Sequence, residues 1–393
     1  SASGSAFTYS EVGYFRFKAQ GVYDNTFTAS SGDIDNNDCT KDFSNTLVGG
    51  KYGCYFGNTT TTNHFGRFIP AHFAVASSAF ASACHVGSDP GYSYMGQPFA
   101  TALSATIEAR NSSGTLTKNY SGAFATGTVS VHLENGGNGQ ALPVARLNTT
   151  GGSWSGGRYV YTADRFQRLG TGPDGPYDSL DIGLAVEAET GLAAASRPYL
   201  ITRDMDAGTT SCTADLTGLS TAAGVCLATR VVTGTRVRYG RLWMGNAYGS
   251  ERYPASVPYA TQYWNGLAFV RNTLDQCTAL TKANFGLANY QNAVTPSTLP
   301  VSWVSVGTFA SGAGTVQLVN PDASGSVAVV ARLDNPLSIC PTGWTATYPS
   351  GTPLAAPWLR GAWCGTGDKD PVARATFGIA PAKRQIYLRE SYQ

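Results

Sequence analysis

Short runs in which every second residue is bulky and apolar recur along this chain, each closed by Gly, Asn, Ser or Pro. Thr128-Val129-Ser130-Val131-His132-Leu133-Glu134 is one such run, and Leu103 to Ala109 is another. A repeat of two turns alternate side chains to opposite faces, so both read as half-buried β-strands. Phe15, Phe17 and Ala19, interleaved with Arg16 and Lys18, predict a strand near the start. Ser153 to Ala163, Leu180 to Glu187, Arg230 to Val232, Thr315 to Val319 and Ser326 to Leu333 supply more. Asn320 to Gly325 predicts a hairpin between the last two, with a loop of about six residues. The Ala/Ser run from Ala74 to Ala83 is ambiguous, and a short helix is one reading of it.

Charged residues make up 13% of the chain, about half the usual share of roughly 25%, and 46 glycines fill much of the gap. Gly and Asn supply positive φ at turns, while Lys and Glu, which build helix surfaces, are scarce. The expected fold is all-β. A chain of 393 residues suffices for two or three domains with their own cores. We expect consecutive immunoglobulin-like β-sandwich domains with disulfides: a small β-sandwich module over residues 1–66, an immunoglobulin-like domain over 67–204, and a larger C-terminal sandwich over 205–393. Phe65 to Val75 is the expected hinge between the first two.

Eight cysteines are spread widely, and none sits in a Cys-x-x-Cys pair. That pattern argues for disulfides and an oxidising compartment rather than zinc. Loop length pairs Cys39 with Cys54, Cys212 with Cys226, and Cys340 with Cys364. It leaves Cys84 and Cys277 as a long staple, with other connectivities open. The formal net charge of +2 gives no basis for binding nucleic acid, and no apolar run approaches the roughly 20 residues of a membrane span. Ser1-Ala2-Ser3-Gly4-Ser5 has the composition of a linker, so we expect a processed or excised piece of a longer protein.

Catalytic signals are weak. Gly170-Thr171-Gly172-Pro173-Asp174-Gly175 has the G-x-G-x-x-G spacing, but Pro173 and Pro176 block the helix that would hold a pyrophosphate. We read it as a turn followed by a strand. Ser155 lies outside a G-x-S-x-G elbow, and His64, His72, His85 and His132 have no partner recognisable from spacing. The expectation is a protein without enzymatic activity or organic cofactor. Calcium is the one metal in view, since Asp33, Asp35 and Asn37 offer hard oxygens in a polar loop. Lesser clusters lie at Asp174, Asp178 and Asp181 and at Asp368 and Asp370. Aromatic residues crowd the stretch from Arg238 to Gly266. Among them Trp243, Tyr248 and Trp264 are the candidate binding residues, for a glycan or a protein, against a plain role in the core.

Four separated stretches carry a resemblance. Gly66-Arg67-Phe68-Ile69-Pro70-Ala71-His72-Phe73, Tyr94 to Phe99, Tyr239 to Gly266 and Ala373 to Glu390 are similar to the C-terminal region of MshQ-like proteins. These are large surface proteins encoded in gene clusters for type IV pili of the MSHA (mannose-sensitive haemagglutinin) kind. The sequence departs from that pattern at Ala362-Trp363-Cys364-Gly365, which replaces most of an Asp-rich loop and argues against a metal there. The resemblance implies an exported, extracellular protein of the bacterial cell surface, with pilus or other surface proteins as partners. The expected role is a non-enzymatic structural or adhesive one. Two other readings compete: a carbohydrate-binding module for host or environmental glycans, and a filament subunit that gives an edge strand to its neighbour.

Overall fold

Period-two runs become strands wherever a partner strand can satisfy their backbone, and here most of them fall into two facing pairs of sheets. The computed structural model describes residues 8–378, apart from 20, 24–38, 41, 45, 54, 86–89, 137–139, 210, 219, 341 and 366. Six short strands come first: β1 (Gly13–Phe15), β2 (Val22–Tyr23), β3 (Cys39–Thr40), β4 (Tyr52–Gly53), β5 (Tyr55–Phe56) and β6 (Phe65–Phe68). Among the described residues they pair two at a time, as β1–β6, β2–β5 and β3–β4. The alternation from Phe15 to Ala19 does not make one strand, because β1 ends at Phe15. The rings of Phe15 and Phe17 instead cluster with Phe65.

The first sandwich takes β7 (His72–Ala81), β8 (Tyr92–Tyr94), β9 (Pro98–Arg110), β10 (Thr128–Asn135), β11 (Leu147–Thr150), β12 (Arg158–Phe166), β13 (Tyr177–Glu187) and β14 (Thr229–Arg238). One sheet runs β10–β13–β14–β8 and its facing sheet β11–β12–β9–β7. Alternate residues of β9 (Leu103, Ala105, Ile107 and Ala109) point inward, against Leu133, Leu180, Ile182 and Leu184 from the opposite sheet. The Ala/Ser run is a strand and not a helix. It is zipped antiparallel along β9 from His72↔Arg110 to Ala81↔Thr101, so tertiary pairing overrides the helix propensity of alanine.

The second sandwich follows after a single residue, Tyr239. Its strands are β15 (Gly240–Met244), β16 (Ala247–Gly249), β17 (Ala255–Trp264), β18 (Phe269–Arg271), β19 (Phe285–Asn292), β20 (Ser305–Val306), β21 (Ala313–Leu318), β22 (Gly325–Ala331) and β23 (Val372–Phe377). β15–β17–β21–β20, with β18 on β17, faces β16–β23–β22–β19. β21 and β22 therefore do not form the expected hairpin, and their connection crosses from one sheet to the other. The cause is burial. All seven residues of β22 are buried, with Val327, Val329 and Ala331 in the main core and Ala328 and Val330 beneath Ile339 and Trp344. A strand covered on both faces belongs in the middle of a sheet, and β22 finds partners on both sides in β19 and β23.

The two sandwiches are locked together. Cys84 is bonded to Cys277 across 193 residues, while Cys212–Cys226 and Cys340–Cys364 close short loops. Cys39 is disulfide-bonded, and Cys54 lies outside the described residues. Tyr94, on β8, reaches into the second sandwich and donates its hydroxyl to Asp275 at 2.8 Å. Asn272 donates to the same hydroxyl at 2.8 Å and accepts Arg238 Nη1 at 2.6 Å. Asp275 also accepts the backbone N–H of Cys277 and Thr278 and the Thr278 hydroxyl. Asn272 and Asp275 are 0% exposed, yet their polar groups are met, as a buried network requires. Burial, with the Asp275 charge beside it, pushes the Tyr94 hydroxyl well above its usual pKa, so it remains a donor. A side chain at position 240 would overlap the Tyr94 ring, and Gly240 lets the sandwiches approach this closely.

Arg168, in the loop after β12, makes the second lock. It donates to the carbonyls of Gly240, Trp358 and Arg360 at 2.6, 2.8 and 2.8 Å, pairs with Asp368 at 2.9 Å, and lies 3.7 Å from the centre of the Tyr239 ring. A guanidinium with five donors in a plane suits such a many-sided contact better than an ammonium.

Candidate functional site

With the junction closed, the exposed sheet faces and loops are what the molecule can offer to others. On β15, Leu242 and Met244 turn into the core, which sends Trp243 to the outer face of its sheet. There it lines a groove of about 570 Å³ with Pro258, Gln262, Arg271, Thr308 and Thr315. Arg271 on β18 is exposed, and none of the ion pairs among the described residues involves it. Next to the groove Arg241 donates to Gln262 at 2.8 Å and stacks over Phe269 and Trp363, and burial lowers its pKa. An indole, a free guanidinium, an amide and hydroxyls on one open face can hold a polar ligand. No carboxylate, His, Cys or Lys is among the described residues that line the groove.

The three candidate aromatic residues do not share one platform. Tyr248 sits on β16, an edge strand, and is 79% exposed. Trp264 is half-buried near the junction, packed on Phe269 and on the first sandwich's core. Trp154 is also half-buried, between Phe73, Tyr120 and Tyr159, and its indole N–H donates to the Gly127 carbonyl at 2.7 Å. An aromatic residue that sequence reasoning missed is Trp303, 50% exposed at a loop end of the second sandwich. A usable signal was present: Trp303 lies among Pro296, Ser297, Thr298, Pro300 and Ser302, a turn-rich stretch with little call on an indole for its core.

The acidic clusters resolve into arginine partners. Asp174 pairs with Arg146, Asp178 with Arg238 and Asp181 with Arg230, so the second cluster is divided among three cations. Asp368 goes to Arg168 and Asp370 to Arg360. No group of three or more possible ligands stands together among the described residues. Asp33, Asp35 and Asn37 lie outside the described residues. The glycine-rich stretch at 170–175 is a loop whose Asp174 anchors Arg146 at 2.6 Å, and a strand follows it.

Histidine chemistry is equally limited. Burial, and then the nearby Arg110, hold His72 below the usual imidazole range. His132 lies 3.6 Å from Asp206, too far for a hydrogen bond, and its Nδ1 accepts the Ala207 N–H at 3.4 Å. No helix among the described residues is long and apolar enough to cross a membrane.

Among known proteins, no curated protein matches the chain. Solved structures with some likeness include the Escherichia coli adhesin FdeC, at 10% identity over 72% of this chain and 66% of that one, TM-score 0.30. The Yersinia pseudotuberculosis adhesin InvE gives 12% identity over 63% and 53%, TM-score 0.18, and an I-band fragment of titin 6% over 72% and 61%, TM-score 0.22. The chain thus spans just under two thirds of the FdeC chain and about half of the InvE chain. Scores this low carry no argument about what it does. Two family models match directly: DUF6701, third domain, over residues 42–213, and DUF6701, fourth domain, over residues 238–391. Together these matches take in most of both sandwiches, and the chain belongs to the DUF6701 family, of which it carries the third and fourth domains.

Proposed function

We propose that this chain is a non-enzymatic, extracellular structural and adhesive segment of a bacterial surface assembly, and that the assembly is a type IV pilus of the MSHA kind. The observation that carries the reading is the sealed junction, where a disulfide, a buried polar network and the Arg168 clamp hold two sandwiches in one orientation. Such a body keeps its outer faces at fixed spacing, which suits a part that bears load or presents a binding surface. Disulfide bonding supports an oxidising, extracellular setting. The pilus context rests on the similarity of the four stretches from Gly66 to Glu390 to MshQ-like proteins. The groove around Trp243 and the exposed Tyr248 are the surfaces we assign to pilus or other surface proteins. Strand addition is the alternative reading; its longest edge templates are β7, β10 and β19, since the edge β16 is three residues long.

The test is to label intact bacteria that make such pili with an antibody to this chain, and to shear and purify the pili. The reading expects surface labelling and co-purification, with attachment reduced when the coding segment is deleted. Labelling only after permeabilisation, or deletion without effect on piliation and attachment, would contradict it.

A further inference from the structure

We propose that the loops at one end of the second sandwich form a binding site for a neutral sugar ring, with Trp303 as its platform and Asp322 and Asn320 reading the hydroxyls. This inference goes beyond the structural role and stands whether or not the chain belongs to a pilus.

The site follows from how the second sandwich is wound. After β19 the chain makes a turn and a single 3-10 turn, Val301–Trp303, before β20. Leu299 and Val304 are buried and Val301 packs on the core, so the turn is anchored on both sides of the indole. Trp303 nevertheless stays half exposed, and its indole N–H makes no hydrogen bond among the described residues. The connection from β21 to β22, which crosses between the sheets, passes the same end. It carries Asn320 and Asp322 to the cleft that Trp303, Thr298 and Val319 also line, about 500 Å³ in volume. Small-molecule sites run from roughly 300 to 1,000 Å³, and loops at the ends of sandwiches are where such sites are commonly placed.

The polar groups are positioned and not used up. Asp322 holds positive φ, a backbone state that Asp tolerates better than most residues. Its N–H donates to the Glu251 carbonyl at 3.0 Å, and its Oδ1 accepts from Asn320 Nδ2 at 3.2 Å. Its other carboxylate oxygen accepts no bond among the described residues, and no Lys or Arg pairs with it there. A carboxylate fixed by an amide, beside a flat indole, matches a pyranose: C–H faces pack on the ring while neighbouring hydroxyls donate to the carboxylate. Among the described residues no Lys or Arg lines this cleft, unlike the Trp243 groove with Arg271, so an uncharged sugar is favoured over an acidic one. The competing account is that Trp303 merely roofs Val319, in which case the carboxylate has no role.

The experiment uses the intact 393-residue chain labelled with nitrogen-15 and follows indole N–H resonances during titration with the methyl pyranosides of glucose, galactose, mannose and N-acetylglucosamine. At least one sugar is expected to shift one indole signal saturably. That signal is absent from Trp303→Phe, which keeps an apolar roof, and calorimetry on that variant shows weakened binding. Binding is expected to be about tenfold weaker in Asp322→Asn, lost in Trp303→Ala, and unchanged in Leu267→Ala, which removes an exposed side chain from the loop between β17 and β18. The site is overturned by silence towards all four sugars at millimolar concentration. Equally fatal are binding that survives Trp303→Ala, binding that depends on Trp243, or a response to choline alone, which would mark a cation site instead.

Discussion

The chain's two junctions are built on opposite lines. Between the N-terminal module and the first sandwich the polar contacts are exposed or part-buried. Arg67 forms a two-pronged pair with Glu189, and Glu11 accepts the N–H groups of Lys118 and Asn119 at 3.1 and 3.0 Å. Val12 is the apolar side chain of this module that sinks into the neighbouring core. Between the sandwiches, by contrast, the polar partners are themselves buried, Tyr92 and Tyr94 of the first unit count among the core residues of the second, and a disulfide ties the two. Paired groups at a rim exchange for water at little cost, whereas buried ones leave unmet donors behind when separated. The inner junction should therefore fail globally and the outer one locally.

The largest effect is expected from Asp275→Ala, which strands the Tyr94 and Thr278 hydroxyls and two backbone N–H groups in the interior. Urea unfolding should show a loss of about 3–5 kcal/mol, felt by probes in both sandwiches. A loss seen by one sandwich alone would mean that the network belongs to that unit and not to the joint. Arg168→Ala comes next. Three carbonyls and Asp368 lose their donor, and about 2–4 kcal/mol should go, with unfolding by calorimetry splitting into two steps. Retention of one sharp transition would move the weight of the joint to the disulfide. Arg67→Ala should cost about 1–2 kcal/mol and act only nearby. Limited proteolysis ahead of residue 66 should quicken while the melting of the sandwiches holds, and a global drop would erase the contrast drawn here.

The smallest effect concerns pH. Burial lowers the His132 pKa below its ordinary 6.5, against an opposing pull from Asp206. The unfolded chain then takes up the proton first. Stability is whole above about pH 6.5 and falls as pH drops from there towards the folded value. His132→Gln should flatten that part of the stability curve, and an unchanged slope would clear His132 of responsibility.

Much of this was legible in the residues, for physical reasons that also show where reading stops. Alternation along Leu103–Ala109 and Thr128–Glu134 is local and reports one wet and one dry face, which is what β9 and β10 have. The stretch from Gly240 to Trp264 folds back on itself, with Met244 opposite Tyr259. Loop length paired Cys212 with Cys226 and Cys340 with Cys364, as the described bridges do, and left Cys84 for Cys277 as the remainder. Strand partners that lie far apart in sequence leave no local trace, so Ala74 to Ala83 was ambiguous until β9 was beside it. The turn at Asn320–Gly325 carries hairpin residues, but the burial of β22 on both faces decides against the hairpin. The site was harder to read than the fold. Trp243 stands out in its aromatic-rich stretch, whereas Trp303 and Asp322 meet only because two loops converge at one end of a sandwich.

The central claim is that the two sandwiches move as one body, and a distance measurement tests it most directly. Spin labels carried on unnatural residues at the exposed positions Val160 and Tyr253 report across the joint, and pulsed electron resonance reads their separation. The account predicts one narrow distribution in the native protein. A broad or two-peaked distribution with the Cys84–Cys277 bond intact would contradict it.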